Sequence, residues 1–109
     1  MIVDMTHRKL DPDTVARLTE ESLRTPPVAA ARMLEGHMNV DWCDMLPTID
    51  VPVLIGAGDH DPPAADADAA AALIPRATVM GFAHSGHCPF IKEPEEFNRA
   101  LETFLHAIG

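Results

Sequence analysis

The fold of this chain follows from one segment, Val51-Pro-Val-Leu-Ile-Gly-Ala-Gly-Asp-His-Asp61. Its first half, Val51 to Ile55, is an almost continuous apolar run, which is typical of a parallel strand covered on both faces. Two glycines and then Asp61-Pro62-Pro63 follow the run, and this composition predicts a turn. The segment therefore predicts a buried strand with an acidic residue just beyond its C-terminal end.

A second strand and two further helices are predicted after this segment. Residues 64–74 are rich in alanine and stop at Pro75, which predicts a helix, and Ala77-Thr-Val-Met80 predicts a short strand. A final helix opens at Glu93 and carries one apolar stripe, formed by Phe97, Leu101, Phe104, Leu105 and Ile108. The order strand, helix, strand, helix implies a right-handed crossover and two parallel strands. Because two helices cannot cover both faces of such a pair, the segment is expected to be one edge of a larger sheet.

Residues 1–46 have a different character and predict short helices. Asp11-Pro12 is a typical helix start, and the first helix is expected to run to about Arg24. A second helix is expected from Val28 to about Leu34, before Gly36. These helices resemble a cap packed on something larger. Four apolar residues either line an acyl pocket beneath that cap or form its core, namely Met33, Met38, Trp42 and Met45.

The two predicted strands bring an acid and a histidine to the same edge of the sheet. Asp61 follows the first strand, and His87 lies in the loop after the second. The carboxyl ends of parallel strands are where ligands and reactive groups gather in open sheets. A carboxylate paired with histidine fixes the tautomer of the ring and stabilises the imidazolium formed during proton transfer. The plainer alternative is that Asp61 only starts a turn with Pro62 and that His87 is an ordinary loop residue.

Three motifs together resemble the C-terminal part of an α/β-hydrolase. These are Gly58-Asp-His-Asp61-Pro62 after the strand, Gly86-His87-Cys-Pro89, and Pro94-Glu-Glu-Phe97 at the start of the last helix. The chain is similar to small bacterial esterases and to cofactor-free haloperoxidase-like members. The resemblance implies an α/β fold with the C-terminal edge of a parallel sheet at residues 47–109. Residues 1–46 then correspond to a helical lid remnant that precedes this edge.

The resemblance also implies a chemistry. Asp61 would be the acid and His87 the general base of a Ser-His-Asp triad, with Asp59 as a weaker candidate acid one step too early in the pattern. The implied reaction is hydrolysis of a carboxylic ester or related small apolar acyl substrate, and no cofactor is required.

The chain departs from the family in lacking a nucleophile elbow. No Gly-x-Ser-x-Gly occurs in the sequence, and its two serines are Ser22, in the first predicted helix, and Ser85, which is expected to be a hydrogen-bonding loop residue. The chain alone is therefore expected to be incomplete and inactive, and the nucleophile would come from another polypeptide or from a missing N-terminal half. Related hydrolases, perhydrolases and dehalogenases share this C-terminal pattern, so the substrate stays open.

Two alternatives to an enzyme remain. A truncated remnant with an open sheet edge could act as an interaction or oligomerisation module, with a homodimer as one form. A small metal site is the other, because imidazole and thiolate groups suit zinc and cluster in His60, His84, His87 and Cys88.

Composition excludes several other classes. The formal net charge is -9, from 17 acidic and 8 basic residues, which disfavours nucleic acid and anionic membranes as partners. The first ten residues contain no apolar run of signal-peptide length, and no segment is long enough to span a bilayer. Cys43 and Cys88 are too few for a disulfide framework. These features predict a soluble cytoplasmic protein.

Overall fold

A computed structural model describes residues 10–109, which form five α-helices, one 3-10 turn and two strands. In chain order these are α1 (Pro12–Leu23), α2 (Pro27–Met38), the 3-10 turn (Leu46–Thr48), β1 (Val53–Gly58), α3 (Ala64–Leu73), β2 (Ala77–Phe82), α4 (Pro89–Lys92) and α5 (Pro94–Ile108). None of the helices in this part of the chain combines the length and the apolar character needed to cross a membrane.

The two strands pair in parallel, as the strand-helix-strand order predicts. The register runs from Val53 opposite Ala77 to Gly58 opposite Phe82. Across residues 10–109 they form one two-stranded sheet, and α3 provides the crossover between them. This arrangement confirms an α/β fold.

The strand β1 is shifted by two to three residues from its predicted position. It starts at Val53, whose backbone N–H donates to the carbonyl of Arg76 at 3.0 Å. The preceding Pro52 has no N–H to donate. The strand continues through Gly56, where a Cβ would lie 3.2 Å from the Phe82 ring, so the missing side chain leaves room for the aromatic residue opposite. The glycines therefore belong to the strand and do not end it.

The helix α1 starts as predicted, and α2 ends later than predicted. The Asp11 side chain caps α1 by accepting from the backbone N–H of Thr14 at 2.9 Å. The helix α2 continues through Gly36 to Met38, and Asn39 is its C-cap residue. The backbone and side-chain N–H groups of Asn39 both donate to the carbonyl of Glu35, at 3.3 and 2.9 Å. Gly36 costs the helix only about 1 kcal/mol, which is too little to stop it.

The small core is formed by the residue that follows α3, the end of β2 and the start of α5. Among residues 10–109, Ile74 and Phe82 are the only large apolar side chains that are buried. The Phe82 ring lies 5.9 Å from that of Phe97 in α5, and the Phe97 ring lies 5.9 Å from that of Phe90 in α4. The short helix α4, for which the sequence carries no clear periodic signal, thus supplies one ring of this aromatic cluster.

Candidate active site

The loop that carries Asp61, residues 59–63, follows β1 directly and is called the acid loop. The backbone N–H of Asp61 donates to the carbonyl of Gly58 at 3.0 Å, which closes a tight turn. The carbonyl of Asp61 then accepts from the backbone N–H of Ala64 at 2.9 Å, where α3 begins. Both main-chain groups of Asp61 are thereby fixed, and its side chain is only 16% exposed.

The histidine loop, residues 83–88, is held by a buried serine. The side chain of Ser85 is completely buried, at 0% exposure. Its hydroxyl donates to Glu93 Oε2 at 2.5 Å, and the backbone N–H of His84 donates to the same oxygen at 3.1 Å. Ser85 is thus a hydrogen-bonding loop residue, with its hydroxyl occupied inside the protein.

The acid loop and the histidine loop touch through their backbones. The N–H of His60 donates to the carbonyl of Ser85 at 3.1 Å. At Gly58 a Cβ would lie 1.9 Å from the carbonyl oxygen of Gly86, a distance that no side chain can occupy. Glycine at position 58 is therefore needed for the two loops to come this close.

This approach brings Asp61 and His87 together. His87 Nδ1 lies 2.9 Å from Asp61 Oδ2, within hydrogen-bonding distance. The His87 side chain is 53% exposed, so the ring is held on one side and open to solvent on the other. When a carboxylate accepts from Nδ1–H, the lone pair of the neutral ring lies on Nε2. In that tautomer, Nε2 is the ring nitrogen left without a hydrogen.

Asp59, the second candidate acid, lies elsewhere. A Cβ at Gly81 would lie 2.9 Å from Asp59 Oδ1, which places this carboxylate against β2. It borders a cleft next to α3 together with Asp68. Of the two acids, Asp61 is the one that contacts His87.

The residues considered for a metal site do not converge. Within residues 10–109, no three His, Cys, Asp or Glu side chains are grouped so that they could hold a metal ion. Burial raises the pKa of the Cys88 thiol above its ordinary value, and the nearby charge of Asp61 raises it further. Both effects favour the protonated thiol, whereas a metal ligand or nucleophile has to be a thiolate.

Glu93 belongs to this region although its sequence position predicts only the start of the last helix. It does occupy the N-cap position of α5. Its side chain makes no cap hydrogen bond, however, and reaches back to Ser85 and His84. A carboxylate that caps the helix and one that bonds the preceding loop would have the same sequence around Pro94, so the sequence carries no signal for this contact.

The comparison with known proteins agrees with this architecture. Residues 3–100 match the alpha/beta hydrolase family. The chain belongs to this family. Its parallel strands, crossover helix and loop positions are therefore the C-terminal elements of the alpha/beta hydrolase fold.

Several relatives of this alpha/beta hydrolase chain are esterases. The pimeloyl-[acyl-carrier protein] methyl ester esterase of Stenotrophomonas maltophilia is 39% identical over 83 residues, which cover 71% of this chain and 32% of that protein. Polyketide synthase ThaQ of Burkholderia thailandensis is 33% identical over 95 residues, or 85% of this chain and 5% of that protein. The chain thus spans about a third of the esterase and a small part of the synthase.

Solved structures give the same fold. MenH from S. aureus is 29% identical with a TM-score of 0.60, over 62% of this chain and 26% of that one. An alpha/beta fold family hydrolase from Bacillus anthracis has a TM-score of 0.66 at 24% identity, over 94% of this chain and 38% of that one. The second match extends the likeness of fold to nearly the whole chain.

Proposed function

We propose that this chain supplies the acid and the general base of a Ser-His-Asp hydrolase that acts on a carboxylic ester. The observation that carries the proposal is the 2.9 Å contact between His87 Nδ1 and Asp61 Oδ2, beyond the ends of two parallel strands. Esterases among the relatives support hydrolysis of an ester. The nucleophilic serine comes from a part of the enzyme outside these 109 residues, because neither serine of the chain lies on a nucleophile elbow.

The proposed reaction uses both nitrogens of His87. Nε2 takes the proton of the serine hydroxyl while the serine oxygen attacks the ester carbonyl. Asp61 holds the Nδ1 proton and stabilises the imidazolium by its negative charge. The imidazolium then gives its Nε2 proton to the departing alcohol, which leaves an acyl-serine. A water molecule, activated by the same nitrogen, hydrolyses the acyl-serine and restores the free hydroxyl.

The serine-bearing portion has a defined place to dock in this proposal. In the described part of the chain, β1 pairs only with β2, so its other edge carries backbone groups ready for another parallel strand. A strand docked there would continue the sheet and end at the edge where Asp61 lies. The 32% share of the Stenotrophomonas esterase that the chain covers leaves ample length for such strands in a complete enzyme.

The proposed substrate is small and apolar in its acyl part. In this proposal, residues 1–46 are a lid, and the helices α1 and α2 bury none of their residues against the rest of the chain. Their apolar side chains are available to contact a substrate or the remainder of the core, the exposed ones being Met33, Met38, Trp42 and Met45. We place the protein in the cytoplasm, where the free thiols of Cys43 and Cys88 stay reduced.

A chimaera tests the proposal. The matching C-terminal third of the Stenotrophomonas esterase is replaced by this chain, and hydrolysis of p-nitrophenyl butyrate is measured. We expect turnover, and we expect His87→Ala and Asp61→Asn each to lower kcat by roughly 10³–10⁴-fold. His106→Ala, an exposed histidine on α5, is the matched control and should leave kcat unchanged.

The isolated chain provides the complementary measurement. It should hydrolyse p-nitrophenyl butyrate no faster than its His87→Ala variant, because the nucleophile is missing. Turnover that persists after replacement of both Ser22 and Ser85, or a chimaera that is indifferent to His87→Ala, would overturn the triad mechanism.

A second candidate function is a non-enzymatic interaction module. The specific observation in its favour is that most large apolar side chains of residues 10–109 are exposed, while only Ile74 and Phe82 are buried. A chain with so small a core needs a partner to cover its apolar surface. In this alternative the partner is a second copy of the chain, and the test is the state of association in solution.

A further inference from the structure

Glu93 has an unusual position at the junction between α4 and α5. Its backbone N–H donates to the carbonyl of Pro89 at 2.7 Å, and its carbonyl accepts from the N–H of Phe97 at 2.9 Å. One main-chain group therefore belongs to the end of α4 and the other to the start of α5. A residue fixed in this way has a side chain with a well-defined direction, and that direction leads to the histidine loop.

The Glu93 carboxylate receives two donors from that loop at a single oxygen. Oε2 accepts from the Ser85 hydroxyl at 2.5 Å and from the backbone N–H of His84 at 3.1 Å. A hydroxyl-to-carboxylate distance of this size is typical of a strong, charge-assisted hydrogen bond. Because Ser85 is completely buried in the structure, its hydroxyl depends on this carboxylate as its hydrogen-bond acceptor.

The loop that Glu93 holds is the one that positions both members of the acid-histidine pair. The carbonyl of Ser85 accepts from the N–H of His60 at 3.1 Å, and the next residue in the chain is Asp61. His87 follows Ser85 by two residues in the other direction and bonds Asp61 at 2.9 Å. A shift of Ser85 would therefore move the two partners relative to each other.

We propose that Glu93 is a positioning residue for His87: its carboxylate, through Ser85 and His84, fixes the loop in which His87 Nδ1 meets Asp61. The inference rests on the proposed function of the Asp61–His87 pair and adds a residue from α5 to it. Glu93 acts through the loop, because its side-chain hydrogen bonds go to Ser85 and His84 and not to the pair itself. The relevant property is the position of the acceptor oxygen, so an amide oxygen in the same place should keep the loop in position, although its hydrogen bonds are weaker than those of a carboxylate.

The tautomer of His87 provides a direct readout in the 109-residue chain. With Nδ1–H bonded to Asp61, the two ring nitrogens of the neutral imidazole have clearly separate ¹⁵N chemical shifts. In Glu93→Ala, we expect these two shifts to converge towards those of the exposed His37, and the Nδ1–H proton signal to be lost. In Glu93→Gln, which keeps an acceptor oxygen, we expect the wild-type shifts.

Glu95→Ala is the matched control, because it removes an equal charge from the exposed first turn of α5. It should leave the His87 signals unchanged. If Glu93→Ala does not fold, Ser85→Ala decides the question, because it removes one of the two loop donors and leaves the other. A partial convergence of the His87 shifts in Ser85→Ala supports the proposal, and unchanged shifts overturn it.

Asp61→Asn separates this inference from the proposed function. If Asp61→Asn alters the His87 tautomer and Glu93→Ala does not, the pair is real and the positioning role of Glu93 is wrong. If neither substitution alters it, the pair itself is absent, and both proposals fail. If Glu93→Gln behaves like Glu93→Ala, the geometric explanation is wrong, because an acceptor alone does not suffice.

Discussion

The Asp61 and His87 side chains differ in exposure, and this limits what their contact contributes to stability. Asp61 is mostly covered, whereas about half of the His87 ring is open to solvent. An ion pair with one exposed partner contributes only about 0–1 kcal/mol to folding. The hydrogen bonds that fix the Asp61 backbone therefore do more to place this carboxylate than its contact with His87 does. The position of Asp61 therefore depends mainly on the backbone of its own loop.

The charge of Asp61 also acts on Cys88, and this gives a prediction for the thiol. The pKa of Cys88 is raised first by burial and then by the negative charge of Asp61. Asp61→Asn should lower this pKa and speed the alkylation of Cys88 by iodoacetamide at a fixed pH, because more thiolate is present. The rate is measured by mass spectrometry across a pH series. Cys43 is the internal reference, since its pKa is raised instead by the hydrogen bond and charge of Asp41.

The raised pKa of Cys88 also makes the free energy of unfolding depend on pH. A thiol whose pKa is raised in the folded state holds its proton more tightly there than in the unfolded chain. Its contribution to the free energy of unfolding is fully present below the unfolded pKa, and it is lost as the pH rises through the folded pKa. An unchanged alkylation rate of Cys88 in Asp61→Asn would show that the carboxylate lies too far away to influence the thiol.

Gly58 determines whether the two site loops can meet, and its substitution tests this contact between elements. A Cβ there would lie 1.9 Å from the Gly86 carbonyl oxygen and 2.5 Å from that of Ser85, and both atoms are backbone. Gly58→Ala should therefore destabilise the chain by about 1–3 kcal/mol or more, because the loops have to separate. The free energy of unfolding is measured in urea.

Gly36→Ala is the matched control for the same substitution type. Nothing lies within 4 Å of a Cβ at Gly36, which is inside α2. This variant should be neutral or more stable by up to about 1 kcal/mol, because alanine favours the helix over glycine. Equal effects of the two substitutions would contradict the close approach of the loops.

The element order could be predicted from the sequence because it depends on local patterns. The apolar run from Val51, the alanine-rich segment 64–74 and the prolines that flank this segment are all patterns of residues close together in the chain. The element ends were less predictable. The extension of β1 through Gly56 depends on the Phe82 ring across the sheet, and the extension of α2 depends on Asn39 bonding Glu35. Such contacts are specific to the folded chain.

The candidate site could also be predicted only in part from the sequence. Asp61 and His87 could be brought together from topology alone, since parallel neighbours place their following loops at one edge. The structure shows them in contact, while their catalytic roles stay a prediction. Glu93 could not be connected to the site, because its bond to Ser85 spans a turn and a short helix that no periodic pattern revealed.

At the scale of the molecule, residues 10–109 carry more apolar side chains than their small core covers. Only Ile74 and Phe82 are buried among the large apolar residues of the described part, whereas Trp42 and much of α2 and α5 stay exposed. Exposed apolar residues of this kind are typical of surfaces that contact another protein. The net charge of -9 opposes non-specific association.

These properties predict the behaviour of the isolated chain in solution. We expect it to bind a hydrophobic dye and to elute from size exclusion at a mass above its 11.8 kDa, in a concentration-dependent way. Adding the N-terminal portion of the Stenotrophomonas esterase as a separate polypeptide should convert it to a one-to-one complex and reduce dye binding, because the open edge of β1 is then covered. A stable homodimer that ignores this added portion would instead favour the interaction module. A compact, monodisperse monomer with cooperative unfolding and no dye binding would contradict the need for any partner.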